Sequence, residues 1–338
     1  MNQGMVNLVE LVHVIELLDR VASPAIVDRA LRASNFSRKA IKKANGYVPY
    51  RLEASVIEYV ARATGDTRLG AKLGEQFNYA AYDAYARYVL SSKDLYSAVL
   101  RARQAFSLIN PGSEIHLEVR EDFLVAGRYS GLDSVVGHRH LDDGAIIIIA
   151  KVFQYFLGPD WRPEWVEIAG TDRQRASYLE DLVGAPLRTD AKIPGVAVRL
   201  ADLSTPNPDP PDPNEVLSFS ALPSAMGVRP LVSARDLVWH TLAIQFAMGD
   251  MTQEAVARQL NMGPRTFQRM LQSEGTSFRD VKADFIESRA RALLAETNFE
   301  IPSIARSLGY DEPKSFQRAF RKLTGMTPTA YRSVTING

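Results

Sequence analysis

Apolar positions recur every three or four residues over residues 8–109, for example at Val56, Ile57 and Val60 and again at Leu69, Leu73 and Phe77. That period predicts several packed helices. Over residues 114–120 and 123–129 apolar and polar positions alternate instead, on either side of Glu121-Asp122, which predicts a β-hairpin. Residues 142–157 are expected as a mostly buried helix, 164–169 and 196–200 as further strands, and 174–182 as a helix between them. Pro206, Pro208, Pro210, Pro211 and Pro213 then crowd residues 204–214, a density that blocks helices and favours a stiff, extended connector. An amphipathic helix is expected at 233–248, and helical periodicity continues to the end of the chain.

Within that last third one pattern occurs twice. Thr252, Val256, Ala257, Leu260, Asn261, Phe267, Gln268, Arg269, Leu271 and Gly275 are followed by Ile301, Ile304, Ala305, Leu308, Gly309, Phe316, Gln317, Arg318, Phe320 and Gly325. Ala257 to Ala305 and Leu260 to Leu308 are offset by 48 positions, Phe267 to Phe316 and Arg269 to Arg318 by 49, so one residue is inserted in the second turn. Two helices crossing steeply over a short turn need a small residue at the crossing and a residue that tolerates positive φ in the turn. Ala257 and Ala305 meet the first need, Asn261 and Gly309 the second. Each copy thus predicts a helix-turn-helix, the unit that lays a helix in the major groove of DNA.

Between the copies Phe278, Val281, Phe285, Ala290, Leu293 and Leu294 recur at the helical period, interleaved with Arg279, Lys282, Glu287, Arg289 and Arg291. A connecting helix of about twenty residues spans about 30 Å, close to the ~34 Å between successive major grooves on one face of DNA.

Several strings resemble the AraC/XylS signature: Ile304-Ala305, Leu308-Gly309-Tyr310, Phe316-Gln317-Arg318-Ala319-Phe320-Arg321-Lys322, Gly325-Met326-Thr327-Pro328 and Tyr331-Arg332. The resemblance covers residues 234–332 and implies a transcription regulator whose two helix-turn-helix units read successive major grooves of a promoter. Leu157-Gly158-Pro159-Asp160-Trp161-Arg162-Pro163 and Gly184-Ala185-Pro186-Leu187 resemble the effector-domain type called arabinose-binding in that family, a name that assigns no ligand. The expected fold class is therefore an α+β N-terminal effector-sensing or dimerisation domain over residues 1–203 and a proline-rich linker over 204–232. An all-α DNA-binding domain over 233–338 follows, with helix-turn-helix units at 252–275 and 301–325.

Composition adds exclusions. The chain has no cysteine, which removes disulfides, thiolate metal ligands and a cysteine nucleophile. It also removes the DNA-repair alkyl transferases that share an AraC-type segment, because their acceptor is a cysteine. Its most apolar stretch, residues 145–152, is interrupted by Lys151 and falls short of the ~20 residues that cross a bilayer. Residues 1–10 lack the basic and apolar regions of a signal peptide, so the cytoplasm is the expected compartment, with no membrane partner. The net charge of +1 divides into 14 Lys and Arg against 11 Asp and Glu over residues 234–338, or +3, and 26 against 28 over the rest, or −2. The sign favours a DNA-binding C-terminal portion, but the repeat carries the assignment.

Arg265, Gln268 and Arg269 fall opposite Phe267 and Leu271 on the first recognition helix, and Lys314, Ser315, Gln317 and Arg318 fall opposite Phe316 on the second. Arg pairs bidentately with guanine and Gln with adenine, so these seven are expected to contact bases; the competing reading is an ordinary solvated helix face. Thr252, Arg279, Ser303, Lys322 and Arg332 are expected at phosphates, which position a protein without specifying sequence.

Elsewhere the bland reading prevails. His138 and His140, near Asp142 and Asp143, are read as a solvated loop before a helix rather than a metal cluster. Tyr79, Tyr82, Tyr85 and Tyr88 are read as helix-packing aromatics rather than a pocket, and Phe153, Tyr155 and Phe156 as core. No catalytic residue, metal or cofactor is expected, and no residue set marks an effector pocket. The implied partners are double-stranded promoter DNA, RNA polymerase, a small-molecule effector and a second copy of the chain in a homodimer. Two alternatives stay open. One is a ligand-independent regulator whose N-terminal domain only dimerises or binds a protein. The other is an enzyme domain fused to a DNA-binding module, for which no nucleophile elbow, phosphate loop or metal spacing is present.

Overall fold

A computed structural model describes residues 4–212 and 214–337; Pro213 of the proline-rich stretch lies outside the described residues. The chain divides into two units, Met1–Leu231 and Val232–Gly338. Among the described residues no helix is long and apolar enough to cross a membrane.

Unit 1 opens with strand β1 (Met5–Asn7), helices α1 (Leu8–Val21), α2 (Pro24–Ala33) and α3 (Arg38–Lys43), and strand β2 (Tyr47–Pro49). β1 and β2 pair antiparallel, and β2 falls within the residues 8–109 expected to be helical. Both strands are three residues long and wholly buried, so neither shows the alternation that marks a half-exposed strand. Helices α4 (Tyr50–Thr64), α5 (Leu69–Gln76), α6 (Ala84–Leu90) and α7 (Leu95–Ala105) follow as the periodicity predicts.

The hairpin forms where the alternation places it, as β3 (Glu114–Arg120) and β4 (Phe123–Tyr129) in the register Arg120 to Phe123. Glu121 turns the chain with φ 54°. Helix α8 (His138–Leu157) packs on β4 and on the later strand β7 (Gly195–Arg199). Between α8 and β7 lie β5 (Val166–Glu167), α9 (Arg173–Val183) and β6 (Leu187–Arg188), giving a five-stranded sheet of order β3-β4-β7-β5-β6 in which β5 and β6 run parallel.

Backbone contact between α5 and α8 fixes the centre of this unit. A Cβ on Gly70 would lie 2.3 Å from the His140 carbonyl oxygen, and one on Gly74 would lie 2.8 Å from Gly144 Cα. Only glycine permits that approach. The same packing corrects the expectation of a solvated loop around His138 and His140, because these residues open α8. His140, Asp142 and Asp143 are buried there, and Arg175 Nη2 reaches Asp143 Oδ1 at 2.6 Å.

The proline-rich stretch, expected as a stiff connector, is hydrogen-bonded to the rest of unit 1. Asn207 Nδ2 donates to the carbonyls of Leu90 and Ser92, both at 2.7 Å, and Tyr155 Oη donates to Asn207 Oδ1 at 3.4 Å. The short helix α10 (Leu222–Ala225) packs on α6, with Leu222 fully buried. Proline density does forbid helices, but it leaves carbonyls and neighbouring side chains free to bond.

Unit 2 is helical throughout: α11 (Ala234–Met248), α12 (Gln253–Gln259), α13 (Pro264–Gln272), α14 (Phe278–Glu296), α15 (Ile301–Ser307), α16 (Pro313–Thr324) and α17 (Pro328–Asn337). Ser277 and Asp280 close a reciprocal capping box at the start of α14, satisfying two of the donors that a helix end leaves unpaired.

Gly70→Ala should cost about 1–3 kcal/mol by overpacking, seen as a fall of roughly 2–10 °C in melting temperature by circular dichroism. Gly144→Ala, whose Cβ would meet nothing closer than 3.4 Å, should melt no lower than the parent; equal losses would sink the backbone-contact argument. A fragment of residues 232–338 should fold alone and bind DNA at low salt, and a fragment with no cooperative melt would count against the division at Leu231.

Candidate nucleic-acid interface

Each helix-turn-helix is held by the residues that the repeat aligns. Ala257 and Ala305 are buried at the two crossings. Asn261 has φ 55° and Gly309 φ 83°, so both turns take the left-handed conformation that Asn and Gly adopt most cheaply. Residues 260–263 link α12 to α13 and residues 308–312 link α15 to α16. The inserted residue therefore sits in the second turn, where the change of offset puts it.

Both recognition helices start on proline, Pro264 in α13 and Pro313 in α16, a residue suited to the first helical position because that N–H is unpaired anyway. α13 buries Phe267 and Leu271, and α16 buries Phe316 and Phe320. These pairs are four apart, so the opposite face is left to the remaining positions. On α13 that face carries Arg265, Gln268 and Arg269, all exposed; on α16 it carries Lys314, Gln317 and Arg318, also exposed. Ser315 is half-buried and accepts from Arg318 Nη2 at 3.4 Å, placing it beside this row.

Sequence reasoning left out one member of each row. Gln272 and Arg321 are exposed one turn beyond Arg265/Gln268 and Lys314/Gln317, completing the spacing i, i+3, i+4, i+7 of one helix face. They are aligned by the same offset of 49, a signal that was present in the repeat.

The five residues expected at phosphates separate into two groups. Arg279, Ser303 and Lys322 are exposed. Thr252, also exposed, and Arg332, half-buried, hold structural bonds as well. The Thr252 hydroxyl donates to Asp250 Oδ1 at 2.7 Å and accepts from the Ala255 N–H at 3.2 Å, capping α12. Arg332 donates from Nη2 to the Phe299 carbonyl at 2.6 Å and from Nε to the Leu294 carbonyl at 3.4 Å.

Helix α14 joins the two halves and packs on α11, α15, α16 and α17. Ala290 and Leu294 share one core with Ile304, Ala305, Leu308, Phe316 and Phe320. Several of its charges are internal ties: Lys282 Nζ donates to the Met251 carbonyl at 2.9 Å, and Arg291 pairs with Glu287 at 2.8 Å. Its 19 residues span about 28 Å at ~1.5 Å each.

Comparison with known proteins agrees with this architecture. Residues 26–207 match the family described as the arabinose-binding domain of AraC transcription regulator, N-terminal, and residues 256–333 match a helix-turn-helix domain family. The chain is 25% identical over 342 residues to an ornithine utilization regulator of Pseudomonas aeruginosa, spanning 96% of each protein. Over 85 residues, 25% of each chain, it is 39% identical to the HTH-type transcriptional regulator VirS of Mycobacterium tuberculosis. A crystal structure of the transcriptional regulator CdpR from Pseudomonas aeruginosa aligns with a TM-score of 0.40 at 17% identity, covering 91% of this chain and 97% of that one. With a family match over more than half its length and a paired helix-turn-helix unit behind it, the chain belongs to the AraC family of DNA-binding transcription regulators.

Proposed function

We propose that α13 and α16 enter successive major grooves of one promoter site, with Arg265, Gln268, Arg269, Lys314, Ser315, Gln317 and Arg318 at the base edges. Gln272 and Arg321 extend the two rows. The observation that supports this reading is the duplicated exposed row itself, at matching positions on two helices that pack on one connecting helix, α13 through Phe267 on Phe278 and α16 through Phe316 in a core with Ala290. Thr252, Arg279, Ser303, Lys322 and Arg332 are the proposed phosphate contacts, and they orient the unit without reading sequence.

Unit 1 is the proposed control element, binding a small-molecule effector and pairing two copies of the chain; RNA polymerase is the proposed partner at the promoter and the cytoplasm the proposed compartment. A match to an effector-domain family over residues 26–207 supports that role. The mechanism is binding, without a covalent step. An effector alters promoter occupancy only through its differential affinity for two states of the protein.

Arg269→Ala and Arg318→Ala should each cost about 1–3 kcal/mol in promoter affinity and relax sequence preference in separate segments roughly ten base pairs apart. Binding-site selection on each variant, with circular dichroism to establish folding, reads this out. Equal losses on promoter and random DNA would make both arginines phosphate contacts.

Lys322→Ala should flatten the log–log dependence of affinity on salt by about 0.9, one counterion's share, with sequence preference nearly intact. Titrations at several salt concentrations measure the slope; an unchanged slope removes Lys322 from the phosphate set.

A further inference from the structure

Helices α1, α4, α5 and α8 of unit 1, with β4, line a cavity of about 70 Å³, several times the ~10–15 Å³ that one water requires. Ile57, Leu73, Phe77 and Phe106 form part of an apolar wall. Facing it are Glu10, Glu53, Asn110 and Arg128, which are 5%, 2%, 1% and 7% exposed.

Part of this polar set is satisfied internally. Arg128 Nη1 donates to Tyr50 Oη, which donates to Glu10 Oε1 at 3.4 Å, and Tyr82 Oη donates to Glu10 Oε2 at 3.0 Å. The rest is not. Glu53 Oε2, Arg128 Nε and Arg128 Nη2 are buried without a hydrogen-bond partner, and Nη2 has only Asp142 Oδ1 nearby, at 3.7 Å. Most buried polar atoms in folded proteins are bonded, so four unbonded ones around a cavity, Asn110 Nδ2 being the fourth, point to an occupant.

The charges indicate its sign. Two buried carboxyl groups line the cavity, those of Glu10 and Glu53, against one lining guanidinium, that of Arg128, which also has Asp142 Oδ1 at 3.7 Å. His140 also lines the cavity: Nδ1 accepts from the Gly70 N–H at 3.3 Å, Nε2 lies 3.2 Å from Glu58 Oε2, and burial holds the imidazole below its usual range against the pull of Glu58. Burial, then the charge of Glu10, push the Glu53 carboxyl well above the ordinary carboxylate range, against the pull of Arg128. Burial likewise raises Glu10 and Asp142. A second cation in the cavity would let these acids ionise in place.

We propose that this cavity binds a small protonated primary amine that carries one hydrogen-bond acceptor, with the ammonium on Glu53 and Glu10 and the acceptor on the free Nε and Nη2 donors of Arg128. The apolar wall takes the short carbon chain. The site rests on the effector reading above only for its regulatory consequence.

The test uses the full chain and three probes of similar size that differ in charge: ethanolamine, ethylene glycol and glycolate. Ethanolamine should raise the melting temperature saturably, by about 2–4 °C, and give a saturable calorimetric titration, while the other two do neither. Glu53→Gln and Glu53→Met, each checked for folding by circular dichroism, should lose the response. If one fails to fold the other carries the comparison, and the titration of the unaltered chain stands regardless. A response to glycolate instead of ethanolamine, no response to any probe at 50 mM, or a response that survives in the folded variants would overturn the site. An amine that binds without changing promoter affinity would overturn effector control and leave the site standing. A host metabolite extract that shifts promoter affinity while ethanolamine does not bind would do the reverse.

Discussion

Each recognition helix is held to its unit by two buried side chains, Phe267 and Leu271 in α13 and Phe316 and Phe320 in α16. The rest of unit 2 is arranged around that constraint. A helix anchored along one narrow stripe leaves its other positions free of structural duty, so a row of Arg, Lys and Gln remains available to a polyanion. The anchor needs support on its inner side, which Ala257 and Ala305 allow by letting the supporting helix come close and which Asn261 and Gly309 allow by turning the chain through positive φ. α14 then ties the second half to the first through Ala290 and Leu294, in one core with Phe316 and Phe320. Losing an anchor would thus release a whole reading face.

Unit 1 solves a different problem. It covers a five-stranded sheet with α8, and α8 meets α5 backbone to backbone through Gly70, Gly74 and Gly144. Such an approach brings the first turns of α8, with His140, Asp142 and Asp143, into the interior. Polar groups at that depth require partners. Asp143 has Arg175, and Glu10 has the hydroxyls of Tyr50 and Tyr82. Glu53 Oε2 and the Nε and Nη2 of Arg128 have no hydrogen bond, so the tight crossing that stabilises the scaffold also frames an unsatisfied polar cavity. Tyr82, one of four tyrosines spaced every three residues, lines that cavity, while Tyr85 and Tyr88 bond to Ala102 and Gln104 as packing residues.

Much of unit 2 was legible in the sequence alone. A repeat compares the chain with itself, so the offsets of 48 and 49 located both turns, the inserted residue and the outward rows without any knowledge of packing. The hairpin of β3 and β4 was equally legible from the alternation around Glu121-Asp122, although β4 proves buried on both faces. These features are local: each depends on neighbours within a few positions along the chain.

Tertiary structure decided what depends on residues far apart in sequence. The ribbon of β1 and β2 joins segments some forty residues apart and is buried on every side, so no alternation could reveal it. The proline-rich stretch reads as a connector, yet Asn207 bonds to carbonyls 115 and 117 positions away. Arg332 has the residue type of a phosphate contact, and only folding brings to it the Phe299 carbonyl, 33 positions away. Glu10, Glu53 and Arg128 come from α1, α4 and β4 and look like surface charges in the sequence. Burial is a property of the assembled fold, and it alone turns three unremarkable ionisable residues into a site.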